Sequence, residues 1–175
     1  GGQVVKVGDA YYWYGEDRSN GYDNSPGVHA YMSTDLYNWT DLGVALRAVT
    51  SKSQLTDKSN ADYAYFDKAY NLTKSDGSVD AAKADAIFPY LNTNPDQDGD
   101  GAVDSVQGIF ERPKIIYNKK NKQYVLWWHS DGSTTPGGSN YARALAGVAV
   151  SDNPAGPFTM VGAYRLPNQN NWKEA

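Results

Sequence analysis

The chain has 175 residues, enough for one domain with a sizeable hydrophobic core. Its 16 basic and 20 acidic residues give a net charge of −4 without a basic stripe, so nucleic acid is not an expected partner. It has no cysteine, which excludes disulfides and thiol chemistry, and no run of 18 apolar residues that would predict a membrane span. Its 14 tyrosines and 5 tryptophans suit a β-rich core and, as an alternative use, the stacking of sugar rings.

The first 46 residues predict four strands. Residues 4–7 and 10–14 alternate around a turn at Gly8-Asp9, which is typical of a hairpin. A polar loop then leads to a strand at 28–32, and a last strand at 41–46 completes the unit.

The same plan is repeated after residue 108. Predicted strands there cover residues 109–117, 124–129 and 146–150, with a Gly/Ser-rich loop at 130–140 and a tight turn at 153–157. Each unit has an aromatic-rich strand that ends at a polar residue, then a small-residue strand, a turn with Ser and Asp, and an aromatic (Trp39 or Phe158). A repeated four-strand unit predicts the blades of a β-propeller. Two blades and the start of a third do not close a ring, so we expect residues 1–175 to be the N-terminal portion of one larger domain.

Residues 47–107 interrupt the repeat. Their composition shifts to Ser, Lys, Asp, Asn and Ala, and the patterns at 53–58 and 79–87 predict short helices. We interpret 47–107 as an insertion between blades that is largely solvated.

The insertion contains a calcium-type loop, DQDGDGAVDSVQ, over residues 96–107. It fits the template D-x-D-x-D-G-x5-E at every position except the last, where a Gln replaces the bidentate Glu. The expected ligands of a structural Ca²⁺ are Asp96, Asp98, Asp100, the Ala102 carbonyl, Asp104 and Gln107. An acidic loop that binds no ion is the alternative.

Two glutamates are placed differently from the other acidic residues. Glu16 ends the aromatic strand YYWYGE, and Glu111 precedes Arg112-Pro113 in the first strand of the second unit. Glycoside hydrolysis needs carboxylates around the scissile bond, and a propeller gathers strand ends around one pocket. We therefore predict that Glu16 and Glu111 are catalytic, the alternative being solvated carboxylates or a salt bridge to Arg112 or Lys114.

Three further residues are candidates for binding sugar. Trp128 and His129 end the second aromatic strand, and Tyr141 follows the Gly/Ser-rich loop. Their side chains suit ring stacking and hydrogen bonds to hydroxyls. For His129 a purely structural role is the alternative.

Four runs of the chain together resemble glycoside hydrolase family 43, and within it the exo-β-1,3-galactanases: VVKVGDAYYWYGE, VHAYMSTDLYNW, FERPKIIYNKKNKQYVLWWH and AGVAVSDNPAGPF. The resemblance implies an all-β fold, a five-bladed β-propeller of which this chain holds the first two blades and the start of the third, with a partly helical insertion. It also implies a secreted or periplasmic inverting hydrolase that releases galactose from β-1,3-galactan or arabinogalactan.

The resemblance also assigns roles. Glu16 in YWYGE contacts the terminal galactose, Glu111 in ERPK lines the same subsite, and Tyr141 approaches the sugar. The proton-donating Glu and the Asp that tunes its pKa are expected beyond residue 175, in the remaining blades, so we expect the isolated fragment to be inactive. Two other functions stay open: a propeller glycosidase acting on arabinan or xylan, and a non-catalytic galactose-binding propeller.

Overall fold

The computed structural model describes residues 1–21 and 24–165. Its strands are β1 (Gln3–Val7), β2 (Ala10–Glu16), β3 (Gly27–Ser33), β4 (Thr40–Arg47), β5 (Gly108–Asn118), β6 (Gln123–Gly132), β7 (Leu145–Ser151) and β8 (Thr159–Tyr164). Its helices are α1 (Ser53–Thr56), α2 (Tyr63–Tyr70) and α3 (Ala81–Leu91). In the described ranges, no helix has both the length and the apolar character needed to cross a membrane.

The strands form two antiparallel sheets of four strands each, ordered β1-β2-β3-β4 and β5-β6-β7-β8. The two repeated units are therefore confirmed as two meanders. Within the described residues neither sheet closes on itself or shares a strand with the other. The count of five blades stays a prediction, and the expected start of a third blade at 166–175 lies outside the described residues.

One hydrophobic core lies between the two sheets. The alternation of β2 sends Tyr12 and Tyr14 toward this core and leaves Trp13, between them, 43% exposed. Leu126 of the second sheet is fully buried in the same cluster. The Tyr14 hydroxyl donates a hydrogen bond of 2.6 Å to the carbonyl of Pro154, beyond β7. Burying each large side chain contributes roughly 1.5–3 kcal/mol, so this packing fixes the two sheets against each other.

The helices add a second layer to that core. Tyr63 and Phe66 of α2 are buried, as are Phe88 and Leu91 of α3, and all four belong to the inter-sheet cluster. The expectation of a largely solvated segment is therefore wrong for these helices, because apolar residues three apart give each a buried face. Helix α2 was not predicted, and the bounds 47–107 for an insertion stay a prediction.

The outer face of the first sheet carries a histidine between two carboxylates. His29 of β3 has its Nδ1 2.8 Å from Asp17 Oδ2 and its Nε2 2.6 Å from Asp41 Oδ1. Burial alone would lower the pKa of His29, but the hydrogen bonds to Asp41 and Asp17 outweigh it, so the pKa lies above its usual value. This cluster ties the loop after β2 to β4.

Candidate active site

Glu16 and Glu111 meet at one guanidinium group. A terminal nitrogen of Arg18, in the loop after β2, lies 3.2 Å from Glu16 Oε2 and 3.5 Å from Glu111 Oε1. The Glu111 side chain is 9% exposed and that of Glu16 is 22% exposed. The structure thus brings together the two glutamates that the sequence singled out, while their roles stay predictions.

A β-bulge in β5 aims Glu111 into this site. Glu111 pairs with His129 on β6, and Lys114 pairs with Trp127, so two residues of β5 lie opposite one residue of β6. In a regular strand, Glu111 and Ile115 are four residues apart and would share a sheet face, and Ile115 is buried in the inter-sheet core. The bulge reverses the alternation, so both Ile115 and Glu111 take the face that suits their polarity.

The same bulge supplies a hydrogen bond to Glu16. Arg112 has a positive φ of 54°, a conformation that is costly for a residue with a side chain. Its N–H, released from the strand ladder, donates to Glu16 Oε1 at 2.8 Å. Burial would raise the pKa of Glu16, but the hydrogen bonds from Arg112, from the Gly1 nitrogen and from Arg18 hold it below its usual value. Glu16 is therefore an ionised acceptor at neutral pH.

Glu111 has two further partners, and one of them leads to a residue that the sequence analysis missed. The Tyr141 hydroxyl donates to Glu111 Oε1 at 2.9 Å, and His129 Nδ1 lies 3.1 Å from Oε2. The other ring nitrogen of His129 lies 3.0 Å from Asp131 Oδ2. Asp131 was identifiable in principle, because it lies two residues after His129 on β6 and residues two apart on a strand share a face.

The side chains of Trp128 and His129 are buried and are not accessible to a sugar. Trp128 is 2% exposed and its ring stacks on Phe110 at 5.6 Å and 9°, while on β7 a Cβ at Gly147 would lie 2.2 Å from its Cε2. The prediction that Trp128 binds substrate is therefore wrong, since its ring is covered by core residues. The His129 side chain is 0% exposed and contacts carboxylates, so direct sugar binding is wrong for it too. Tyr141, 36% exposed, keeps an accessible ring.

The acidic loop brings three of the expected calcium ligands together. Ligand atoms of Asp96, Asp98 and Asp104 all lie within 4.8 Å of one another, an oxygen set that suits a hard cation such as Ca²⁺. The Asp100 carboxylate instead accepts the Ala102 N–H at 2.7 Å.

Gln107 lies in the interior, next to the start of β5. It is 3% exposed, and its side-chain amide donates to the Thr93 carbonyl at 3.3 Å. Its role as a calcium ligand stays a prediction.

We compared the chain with known proteins. No protein-family model and no curated protein matched it. Among solved structures, an exo-β-1,3-galactanase from Phanerochaete chrysosporium with galactose is 27% identical, with a TM-score of 0.57 over 94% of this chain and 25% of that one. A GH43 β-1,3-galactosidase with galactodeoxynojirimycin is 26% identical, with a TM-score of 0.57 over 94% of this chain and 33% of that one.

A third match is an exo-β-1,3-galactanase from Clostridium thermocellum, 26% identical, with a TM-score of 0.52 over 94% of this chain and 23% of that one. The chain thus spans between a quarter and a third of the length of the first structures that it matches. These matches confirm the resemblance read from the sequence: along nearly its whole length the chain is similar to one part of the exo-β-1,3-galactanases of glycoside hydrolase family 43.

Proposed function

We propose that the chain forms the galactose-holding part of an inverting glycoside hydrolase that releases galactose from β-1,3-galactan or arabinogalactan. The contact of Glu16 and Glu111 with the same Arg18 guanidinium carries this proposal. The matched galactanases support it, one of them in complex with galactose.

In this proposal the two glutamates accept hydrogen bonds from hydroxyls of the terminal galactose. Their negative charge also favours the positive charge that develops on the sugar ring in the oxocarbenium-like transition state. The exposed ring of Tyr141 covers one side of the sugar. Residues of further blades of the same domain supply the proton donor and activate the attacking water. The enzyme is secreted or periplasmic and binds its polysaccharide outside the cytoplasm.

Hydrolysis of β-1,3-galactan by the intact protein tests the function. We expect free galactose, first as the inverted anomer in a time-resolved NMR spectrum. Glu111→Gln should lower turnover by at least ~10²-fold, the usual scale for one positioned acid or base. Asp9→Asn, in the exposed turn between β1 and β2, is the control and should leave turnover unchanged. Unchanged turnover in Glu111→Gln would contradict the assignment.

A panel of polysaccharides separates the other two functions. Products from arabinan or xylan, with none from galactan, would indicate a different propeller glycosidase. Galactose binding without release from any polymer would indicate a non-catalytic module.

We also propose that Asp96, Asp98 and Asp104 bind a structural Ca²⁺, with water and backbone carbonyls completing its shell. The clustering of the three carboxylates supports this proposal. The ion would stabilise the loop before β5 and take no part in the reaction.

A further inference from the structure

We propose that His129 and Asp131 are positioning residues that set the orientation and the proton of Glu111. The inference rests on the proposed role of Glu111 in holding galactose. It concerns two buried side chains that would not touch the sugar.

The three groups form a continuous line on one face of the second sheet. Glu111 on β5 lies directly opposite His129 on β6, and Asp131 follows two residues later on the same face. The Glu111–His129 contact is 3.1 Å and the His129–Asp131 contact is 3.0 Å. The side chains of His129 and Asp131 are both 0% exposed, so water does not compete for these contacts.

The number of available protons determines which hydrogen bonds these three groups can form. An ionised carboxylate only accepts hydrogen bonds, and a neutral imidazole has a single N–H, so an imidazole between two carboxylates needs one more proton. That proton lies either on the ring or on one carboxyl group.

Backbone contacts decide which ring nitrogen of His129 donates to Asp131. The second oxygen of Asp131 accepts three backbone N–H groups: Gly132 at 2.9 Å, Arg143 at 2.9 Å and Ala144 at 3.1 Å. This side chain therefore acts as an acceptor on both oxygens, and its Oδ2 accepts the N–H of His129 on Nε2. The additional proton therefore lies between His129 Nδ1 and Glu111 Oε2.

The neighbours of Glu111 fix the orientation of its carboxylate. His129 holds Oε2, whereas Tyr141 and the Arg18 guanidinium, which is also bound to Glu16, hold Oε1. Asp131 strengthens this arrangement because its backbone contacts to 143–144 close the loop that carries Tyr141. The charged groups around the line are thus Glu16, Arg18 and, beside Asp131, Arg143, and the neutral phenol of Tyr141 lies next to Glu111.

When a galactose hydroxyl donates to Glu111, the proton shared by Glu111 Oε2 and His129 Nδ1 moves onto Nδ1. No other bond forms or breaks, and the net charge of the three groups is unchanged. Glu111 then presents a carboxylate to the sugar in a fixed orientation, which is the condition for stabilising a transition state more than the bound substrate.

The first test observes the proton directly and needs no catalysis. The chain has only two histidines, so His29→Gln leaves His129 as the single source of ring ¹⁵N signals. In that background we expect a protonated Nε2 throughout the neutral range, and we expect Glu111→Gln to move Nδ1 toward its unprotonated position. An unprotonated Nε2, or an Nδ1 signal that ignores Glu111→Gln, would overturn the proposal.

The second test is a double-mutant cycle on galactan turnover in the intact protein. His129→Gln should lower kcat by about tenfold or more with a smaller change in KM, and it should shift the acidic limb of the pH–rate profile. In Glu111→Gln, the same substitution should add less than about threefold, because groups that act as one unit are not additive. Asp9→Asn, in the exposed turn between β1 and β2, is the control and should leave both values unchanged.

Additive losses, or an unshifted pH profile, would assign His129 to folding alone and overturn the proposal. If Asp131→Asn folds, the same double-mutant cycle is measured with it. If Asp131→Asn does not fold, the cycle with His129→Gln is the test. If the wild type releases no galactose from any galactan, the proposed function fails, whereas the ring ¹⁵N spectrum still decides where the proton lies.

Discussion

Tyr14→Phe tests whether the two sheets are docked as described. The substitution removes one hydroxyl and keeps the ring, which is fully buried and packed between the sheets. The hydroxyl donates to the Pro154 carbonyl at 2.6 Å, and burial raises the pKa of Tyr14 above its ordinary range. One such hydrogen bond contributes roughly 0.5–1.5 kcal/mol. Because Pro154 is only half-buried, water can replace the lost donor, so we expect a loss of about 1 kcal/mol in the free energy of unfolding.

Urea unfolding followed by circular dichroism measures this loss. The midpoint should fall while the m-value stays constant, since the surface exposed on unfolding is the same. Tyr37→Phe is the matched control: Tyr37 is 86% exposed, and its variant should stay within roughly 0.5 kcal/mol of the wild type. Equal midpoints for Tyr14→Phe and Tyr37→Phe would refute the reasoning.

Three further predictions concern pH and metal. The raised pKa of His29 gives stability that is present below pH 6.5 and is lost as pH rises through the folded-state value. The difference in the free energy of unfolding between wild type and His29→Gln should therefore narrow as pH rises above 6.5, and a constant difference in urea unfolding would contradict this. Burial raises the pKa of Tyr70 above 10.0, so this phenol should add ~1.4 kcal/mol per pH unit to the loss of stability above pH 10.0. Tyr70→Phe should reduce the slope of that loss by this amount, and an unchanged slope would exclude the Tyr70 phenol as a cause. Calcium at about 100 times its Kd should raise Tm by roughly 5 °C in differential scanning calorimetry. Asp98→Asn should abolish this increase in Tm, whereas the control Asp9→Asn should retain it. An increase that persists in Asp98→Asn would mean that the ion binds elsewhere.

Strands such as β1 were predictable because the burial of their residues alternates with a two-residue period. Residues 10–14 and 124–129 were predicted as aromatic strands, and both lie within strands of the structure, β2 and β6. Glu16 and Glu111 were noticeable for a related reason: each is a charged residue next to a run of strand-forming residues. For these features the order of polar and apolar residues was sufficient, because that order alone determines how a strand is oriented.

The faces of the second sheet were not predictable in the same way. Trp127 and Trp128 are equally hydrophobic, so composition alone did not show that Trp128 is the buried one and that Trp127 is 39% exposed. The position of Glu111 opposite His129 depends on the bulge at Arg112, a left-handed conformation with no Gly or Asn to announce it. Helix α2 was missed because its buried face consists of two aromatics among polar neighbours.

The most direct test of the central claim is a crystal structure of the protein soaked with galactose. We expect one galactose whose hydroxyls form hydrogen bonds with both Glu16 and Glu111 and whose ring lies beside Tyr141. A galactose that contacts only one of the two glutamates, or that binds on another surface while this site holds only water, would contradict it.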